Sequence, residues 1–392
     1  MKKKAKATES EAPKKFVTVG IPAYHAEDHI ADALSSIRIQ SISDTVAVVI
    51  AKDDPKDDYD FVKTQFPDLD ITIVECEKNT GPGLARQRAL EACTTPWITF
   101  MDADDVLINP LALEYLTKEI RPDVIEVQGA FMQEIQGHPQ GIRLMQRNDI
   151  GHPWVFGRLY CVPFLKQMGI GFSELRAMED GELNWKIRMA IEGTQFKIAV
   201  SDNPIYMWRT GSEHSITRIG IEENEGEPLY NWDLCQVGAT AAEINAIKFC
   251  TSKNPFNGSI MKFTVEMMIE HYFTYIKCLN KKPMFAKQNL FNAKRFYHSC
   301  YEEIEKKISD DIIKTLYTQS LAHNSQDMIG IIPEITFFDF MKLLKDEPYG
   351  GKDEFEEIRK DYPSWVIELD KKSGVLGEEG YVYTIGENDT AK

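Results

Sequence analysis

The sequence is short of the features that staple, anchor or disorder a chain. It has seven cysteines in 392 residues, an odd number. No two of them form a Cys-x-x-Cys pair, so the paired spacing of a zinc site or redox motif is missing. No apolar run approaches the ~18–20 residues that cross a bilayer. Glycine (24) and proline (18) are too few for a fibrous or low-complexity chain. Positive charge is also scarce: 45 Lys and Arg stand against 61 Asp and Glu, a net charge of −16. That excludes coating of nucleic acid over the whole surface but leaves a local basic groove open. The N-terminal lysines are followed by no apolar stretch of signal-peptide type. These absences lead us to expect a cytoplasmic protein with its cysteines as thiols. The length suggests two domains.

Residues 1–14 (MKKKAKATESEAPK) read as a disordered tail. Order begins with FVTVGI, a buried-type strand expected to end at Pro22, followed by a helix with Ile30, Ala33, Leu34 and Ile37 on one face. VAVVIA, DITIVEC and WITFM read as three more strands, with DYDFVKTQF and LARQRALEAC as helices between them. Strands alternating with helices imply a mostly parallel, Rossmann-like α/β sheet with helices on both faces. Ligands of such sheets bind at the carboxyl ends of the strands. Two of those ends carry paired acids, Asp53/Asp54 and Asp102/Asp104/Asp105, which would face one crevice. The pattern turns helical after an acidic break near residue 225. We therefore expect a first domain at 15–225 and a smaller, mainly helical one at 226–392.

Asp102-Ala103-Asp104 at the end of a buried strand is the strongest chemical signal. Carboxylates there repel one another and lose hydration, and Mg²⁺ or Mn²⁺ relieves both costs. The alternative is that Asp104 or Asp105 caps a short helix at Val106–Leu107.

Four segments taken together resemble the family 2 glycosyltransferases of the GT-A fold. VTVGIPAYHAEDHIADALSSIRIQS is similar to that family's opening strand, turn and first helix, with His25 where Asn is usual. VAVVIAKDDPKDD matches the second strand and its acidic end, with Lys52 and Asp54 as departures. NTGPGLARQRALEA is similar to the Asn-x-Gly…Ala-Arg-Asn segment, and TPWITFMDADDVLINP to the strand bearing the Asp-x-Asp. The likeness runs more loosely to about residue 218, through the Glu179-Asp180 pair and the YMWRTGSEHSITR segment.

The resemblance implies roles residue by residue. Ala23, Tyr24 and Glu27 would line the nucleobase pocket, and Asp53 would bond the base or ribose. Arg86 would lie near the base and diphosphate, with Arg88 the alternative on periodicity. Asp102 would touch the ribose or the metal, Asp104 would ligate the metal, and Asp105 is a reserve ligand. Arg209 and His214 would meet the diphosphate, with His214 also a metal candidate. Asp180, beside Glu179, would be the general base, unless the pair only caps its helix. Trp154 and Trp208 would stack on a sugar or belong to the core.

The expectation is then an inverting, Mn²⁺- or Mg²⁺-dependent transferase. It would move a sugar from a nucleotide-sugar donor, a UDP-hexose, to a surface carbohydrate or cell-wall polymer. Hydroxymethylated DNA is the alternative acceptor, because residues 271–301 hold no Asp or Glu while lysines and aromatics interleave there. The reading to prefer for that stretch is a helical hairpin whose aromatics are core and whose lysines form a solvated face. A non-catalytic sugar-nucleotide-binding protein is the further alternative. The helical region would recognise the acceptor, polyanionic if the basic stretch is functional, or build a homo-oligomer.

Overall fold

The computed structural model describes residues 14–134, 142–145, 153–209, 229–254 and 258–373. The tail expected at 1–14 falls outside them except for its last residue. Strands β1 (Val17–Ala23), β2 (Val46–Lys52), β3 (Asp70–Val74) and β4 (Trp97–Phe100) pair in parallel in the order β3-β2-β1-β4. Helices α1 (Ile30–Arg38), α2 (Phe61–Gln65) and α3 (Pro82–Ala92) connect them. β1 and β2 are buried along nearly their whole length, as continuous apolar runs require. Helix α1 buries Ile30, Ala33, Leu34 and Ile37 on one face of the sheet. Helix α3 lays Ala85 and Ala89 on the other.

One strand runs longer than its sequence suggests. β1 continues through Pro22 to Ala23, paired with β2, whereas its pairing with β4 stops at Gly20. Beyond Gly20 one side of the strand is open, and a residue without an N–H is tolerated there.

The sheet then becomes mixed. β5 (Val106–Leu107), β6 (Val124–Glu134), β7 (Ile142–Met145), β8 (Arg158–Cys161) and β9 (Lys197–Trp208) complete it. The order is β3-β2-β1-β4-β8-β6-β9-β5, with β7 on β6. β8 runs antiparallel to both β4 and β6, while β9 is parallel to β6. Helices α4 (Ala112–Lys118), α5 (Val162–Met168) and α6 (Glu179–Ile191) cover it.

The rest is helical: α7 (Leu229–Lys253), α8 (Gly258–Lys281), α9 (Ala286–Phe296), α10 (Glu302–Glu305), α11 (Asp310–His323), α12 (Phe337–Asp346), α13 (Gly351–Lys360) and α14 (Ser364–Ser373). Its core gathers Val265, Met268, Tyr272, Phe273, Phe296 and Phe340. This region packs on the sheet domain through α7 against α6. Among the described residues no helix is long and apolar enough to cross a membrane.

The acid-free stretch 271–301 receives a structural account. Phe273, Phe285, Phe291, Phe296, Tyr297 and Tyr301 are buried. Lys277 pairs with Asp327, Lys287 with Asp361, and Lys294 with Glu347 and Glu354. The counter-charges come from later helices and loops, so these three lysines of the apparent basic cluster are neutralised in space. This arrangement supports the helical-hairpin reading and lends the DNA-binding one nothing.

Candidate active site

Four parallel strands bring their carboxyl ends to one edge of the sheet, and the expected residues gather there around a cation. Arg86 is buried on α3. Its Nη2 donates to Asp102 Oδ1 at 2.6 Å. Its Nη1 donates to Glu179 Oε1 at 2.5 Å and Asp180 Oδ1 at 3.0 Å. Asp102 follows β4, while Glu179 and Asp180 open α6. The backbone N–H of Val155 donates to the second Asp180 oxygen at 3.2 Å. Neither acid caps the helix: the N-cap position is Met178, and the two carboxylates turn to Arg86.

Three carboxyl groups around one guanidinium cannot all ionise freely. Burial works against the charge of Arg86, yet Asp180, Asp102 and Glu179 hold its pKa well above the ordinary value. Burial, reinforced by Asp180, pushes Glu179 up to about 8, with Arg86 opposing. Burial also raises Asp180, again with Arg86 opposing. The Glu179 side chain is 7% exposed and that of Asp180 is 15%. Burial therefore favours a proton on the Glu179-Asp180 pair, and Arg86 opposes it.

Asp105 does not serve as a reserve ligand. It is buried, accepts from the Tyr206 hydroxyl at 2.5 Å and accepts from the Arg209 N–H at 2.7 Å. Burial and the charges of Asp102 and Asp104 hold its pKa well above the carboxylate range. The Tyr206 hydroxyl in turn accepts from the Asp102 N–H at 3.0 Å. Asp105 thus ties the end of β4 to β9. The helix it was to cap does not form, because Val106–Leu107 is the short strand β5 on β9.

Asp102 and Asp104 are half-buried at the strand end. Carboxylate oxygens in a partly solvated crevice are the donors that a hard divalent cation such as Mn²⁺ or Mg²⁺ takes. His214 lies outside the described residues. Arg209 donates through Nη1 to Asp32 on α1 at 2.9 Å.

On the β1 and β2 side, Ala23 is buried, Tyr24 is exposed, and Glu27 accepts from the Asp58 N–H at 3.3 Å. Asp53 is buried and heavily bonded. It accepts from the Thr80 N–H and hydroxyl, the Gly81 N–H and Arg88 Nη2, at 2.8–3.1 Å. It fixes the loop that opens α3, and so indirectly places Arg86. Arg88 spans Asp53, Thr80 and the Lys52 carbonyl. The two arginines of α3 therefore divide the work, one on each side of the helix. Lys52 is buried and reaches Glu75 at 2.7 Å.

His25 is the surprise of this side. Its backbone sits at φ 48°, a left-handed conformation uncommon for a non-glycine residue. Asp57 holds it there, accepting from the His25 N–H at 2.8 Å and meeting Nδ1 at 2.7 Å. The Tyr59 hydroxyl also donates to Asp57 and accepts from the Ala26 N–H. Among the described residues, His25, Asp54 and Asp57 are the group whose metal-capable atoms lie within 4.8 Å of one another. Hydrogen bonds already account for the Asp57 carboxylate.

Trp154, which precedes Val155, and Trp208 are half-buried with ring centroids 5.8 Å apart, and Trp154 stacks on Phe156. Asn184 Nδ2 donates to the carbonyls of Pro153 and Trp154 at 2.6 and 3.2 Å. That links the tryptophan loop to the helix bearing Asp180. Nothing in the sequence marks Asn184, Val155, Tyr206 or Asp57 as site residues. A backbone amide has no residue-type signature, and the others act through partners distant in sequence.

The chain is similar in sequence and fold to several known proteins. A teichoic acid poly(glycerol phosphate) polymerase of Staphylococcus epidermidis is 30% identical over 104 residues, 26% of this chain and 14% of that protein. The Escherichia coli WfgD, a UDP-Glc:alpha-D-GlcNAc-diphosphoundecaprenol beta-1,3-glucosyltransferase, is 30% identical over 100 residues, 25% of this chain and 39% of its own. The chain thus spans well under half the length of these two curated relatives. Residues 1–349 of S. aureus TarS, solved with UDP, superpose with a TM-score of 0.53 at 16% identity, covering 84% of this chain and 90% of that one. Residues 18–170 match the model of glycosyl transferase family 2, and the chain carries a family 2 glycosyltransferase domain of the GT-A fold.

Proposed function

We propose that the protein is an inverting glycosyltransferase that moves a hexose from a UDP-sugar to a hydroxyl of a cell-wall or surface polysaccharide. One observation carries the reading: Arg86 joins Asp102 at the β4 end to Asp180 at the start of α6 in a single buried charge cluster. The donor side and the acceptor side of a transfer reaction are then held in one register. The curated relatives named for a teichoic acid polymer and for UDP-Glc support the acceptor and donor classes.

Asp180 is the base. An acceptor hydroxyl becomes a nucleophile only as its proton is removed, and a carboxylate within reach takes it. The new bond joins the acceptor oxygen to the anomeric carbon. The carbon–oxygen bond to the diphosphate breaks, and its electron pair leaves with the nucleoside diphosphate. Burial favours the neutral form of Glu179, so it is the poorer candidate for a carboxylate base. Arg86 opposes the burial that raises Asp180 and fixes its carboxyl group in place. Trp154 and Trp208 offer the sugar an apolar face. A divalent cation held by Asp104 and Asp102 would supply a positive charge for the leaving diphosphate. One base and one in-line displacement invert the anomeric centre, so an α-linked donor yields a β-glycoside.

The test is nucleotide release from UDP-glucose, UDP-N-acetylglucosamine and GDP-mannose, with Mn²⁺, with Mg²⁺ and with chelator. Poly(glycerol phosphate) or a neutral polysaccharide serves as acceptor. We expect release with a UDP-sugar and its abolition in Asp104→Asn. Unchanged turnover in that variant, or an α-linked product by NMR, would refute the metal role or the inversion respectively.

A further inference from the structure

We infer that helix α7 of the helical region is a positioning element for the catalytic carboxylate, acting through Gly238 on the peptide of Ala177. The inference rests on Asp180 being the base, and three independent features point to it.

The first is how the segment leading into α6 is gripped. Residues 173–178 run between α3 and α7, and a glycine stands on each side. A Cβ added at Gly83 on α3 would lie 2.7 Å from the carbonyl oxygens of both Ser173 and Leu175. A Cβ added at Gly238 on α7 would lie 2.9 Å from the carbonyl oxygen of Ala177. Real Cβ atoms do not approach backbone oxygens so closely, so both helices touch this backbone directly. Side chains continue the contact. Leu175 packs on Ala241 and Ala242 of α7, and Ala177 joins Val237 of α7.

The second feature is strain. Met178, immediately before Glu179 and Asp180, sits at φ 65° and ψ 13°. A non-glycine residue in the left-handed region persists only where its surroundings over-determine it. Those surroundings are the Leu175, Ala241 and Ala242 cluster, with Trp185 of α6. The bend at Met178 sets the direction in which α6 starts, and so where Asp180 lies relative to Arg86.

The third is a polar tie across the same junction. Glu182, one turn after Met178, is buried. It accepts from Ser173 Oγ at 2.5 Å and from Asn245 Nδ2 of α7 at 3.2 Å. Its N–H donates to the Met178 carbonyl. One carboxylate therefore closes a loop through the start of the segment, the first turn of α6 and α7. The helical region is then part of the catalytic unit, whatever else it recognises. A small displacement of α7 moves the base without touching donor or metal.

The test is Gly238→Ala, assayed by nucleotide release from the UDP-sugar that supports turnover, beside wild type and Asp180→Asn. A misplaced base lowers kcat by about tenfold or more. The donor KM stays within about threefold, and the acidic limb of the pH–rate profile moves because the Asp180 surroundings change. A simple loss of support would lower the amount of folded enzyme, with kcat per folded molecule and the pH profile unchanged. That outcome overturns the inference. If Gly238→Ala does not fold, Met178→Gly decides. It relieves the left-handed strain while removing the grip on Ala241 and Ala242, so it should melt near the wild-type temperature with kcat about tenfold down; wild-type kcat there overturns the inference. Wild-type turnover in Asp180→Asn would instead sink the assignment of the base, a result separable from anything seen at Gly238.

Discussion

The strand-end crevice and the helical region handle charge in opposite ways. At the crevice, acids outnumber bases inside the protein: Asp102, Glu179 and Asp180 share Arg86, and Asp105 is buried on a hydroxyl and an amide. In the helical region Lys277, Lys287 and Lys294 find carboxylates on later elements, and the Lys287 pair lies in solvent. Buried, under-compensated charge is expensive and shifts proton affinities, whereas exposed pairs contribute little either way. The difference separates a site from a surface. Function belongs where the protein holds charges it has not fully neutralised, and local richness in one sign marks nothing by itself.

The largest effect that sharpens this contrast lies within the Glu179-Asp180 pair. Asp180→Asn should lower kcat by about 10²–10⁴-fold, the usual worth of a general base. Glu179→Gln should cost about tenfold or less, because burial favours the protonated form of Glu179 and the amide mimics it. Steady-state kinetics on both variants checks this. Equal losses would mean that the two acids act as one unit and that the proton is not confined to Glu179.

A smaller effect concerns stability against pH. The folded-state pKa of Glu179 lies at about 8, above the ordinary 4.5. Between these values the unfolded chain has released a proton that the folded protein keeps, so this group makes stability fall as pH rises from about 4.5 to 8. Glu179→Gln removes that contribution. Its melting temperature should decline less than that of wild type between pH 5 and pH 8. Parallel decline in the two proteins would place the proton elsewhere in the cluster.

Much of the first region was legible because its chemistry is local. Continuous β-branched runs such as VAVVIA can only be central strands, and their alternation with helices sets the parallel order of β1 to β4. Asp102, Asp104, Glu179 and Asp180 stand out because acids at the edge of apolar runs are costly. What escaped is long-range. Arg86 could be read as a helix arginine near a ligand, but its three carboxylate partners lie 16, 93 and 94 residues away. Asp105 and Asp104 are neighbours of the same type, and only the Tyr206 hydroxyl, 101 residues on, assigns Asp105 to structure. The basic stretch stayed open between a hairpin and a polyanion site for the same reason, since the acids that pair with Lys287 and Lys294 are 74 and 60 residues downstream.

That last point yields the smallest expected effect and the most direct way to break the contrast. Lys281 is exposed at the end of α8, and Lys287 makes a fully exposed pair with Asp361. The double variant Lys281→Glu, Lys287→Glu reverses two charges without disturbing a buried atom. If 271–301 is a packed hairpin with a solvated face, the variant should keep the wild-type melting temperature within about 2 °C, since exposed pairs contribute little. Turnover on poly(glycerol phosphate) should be unchanged, and so should the slope of log acceptor affinity against log salt. If the stretch grips a polyanion, each lost phosphate contact flattens that slope by about 0.7–0.9. Two contacts would then change affinity by more than the scatter of a salt titration. A flattened slope would make the lysines functional despite their partners, and neutralisation in space would no longer distinguish surface from site.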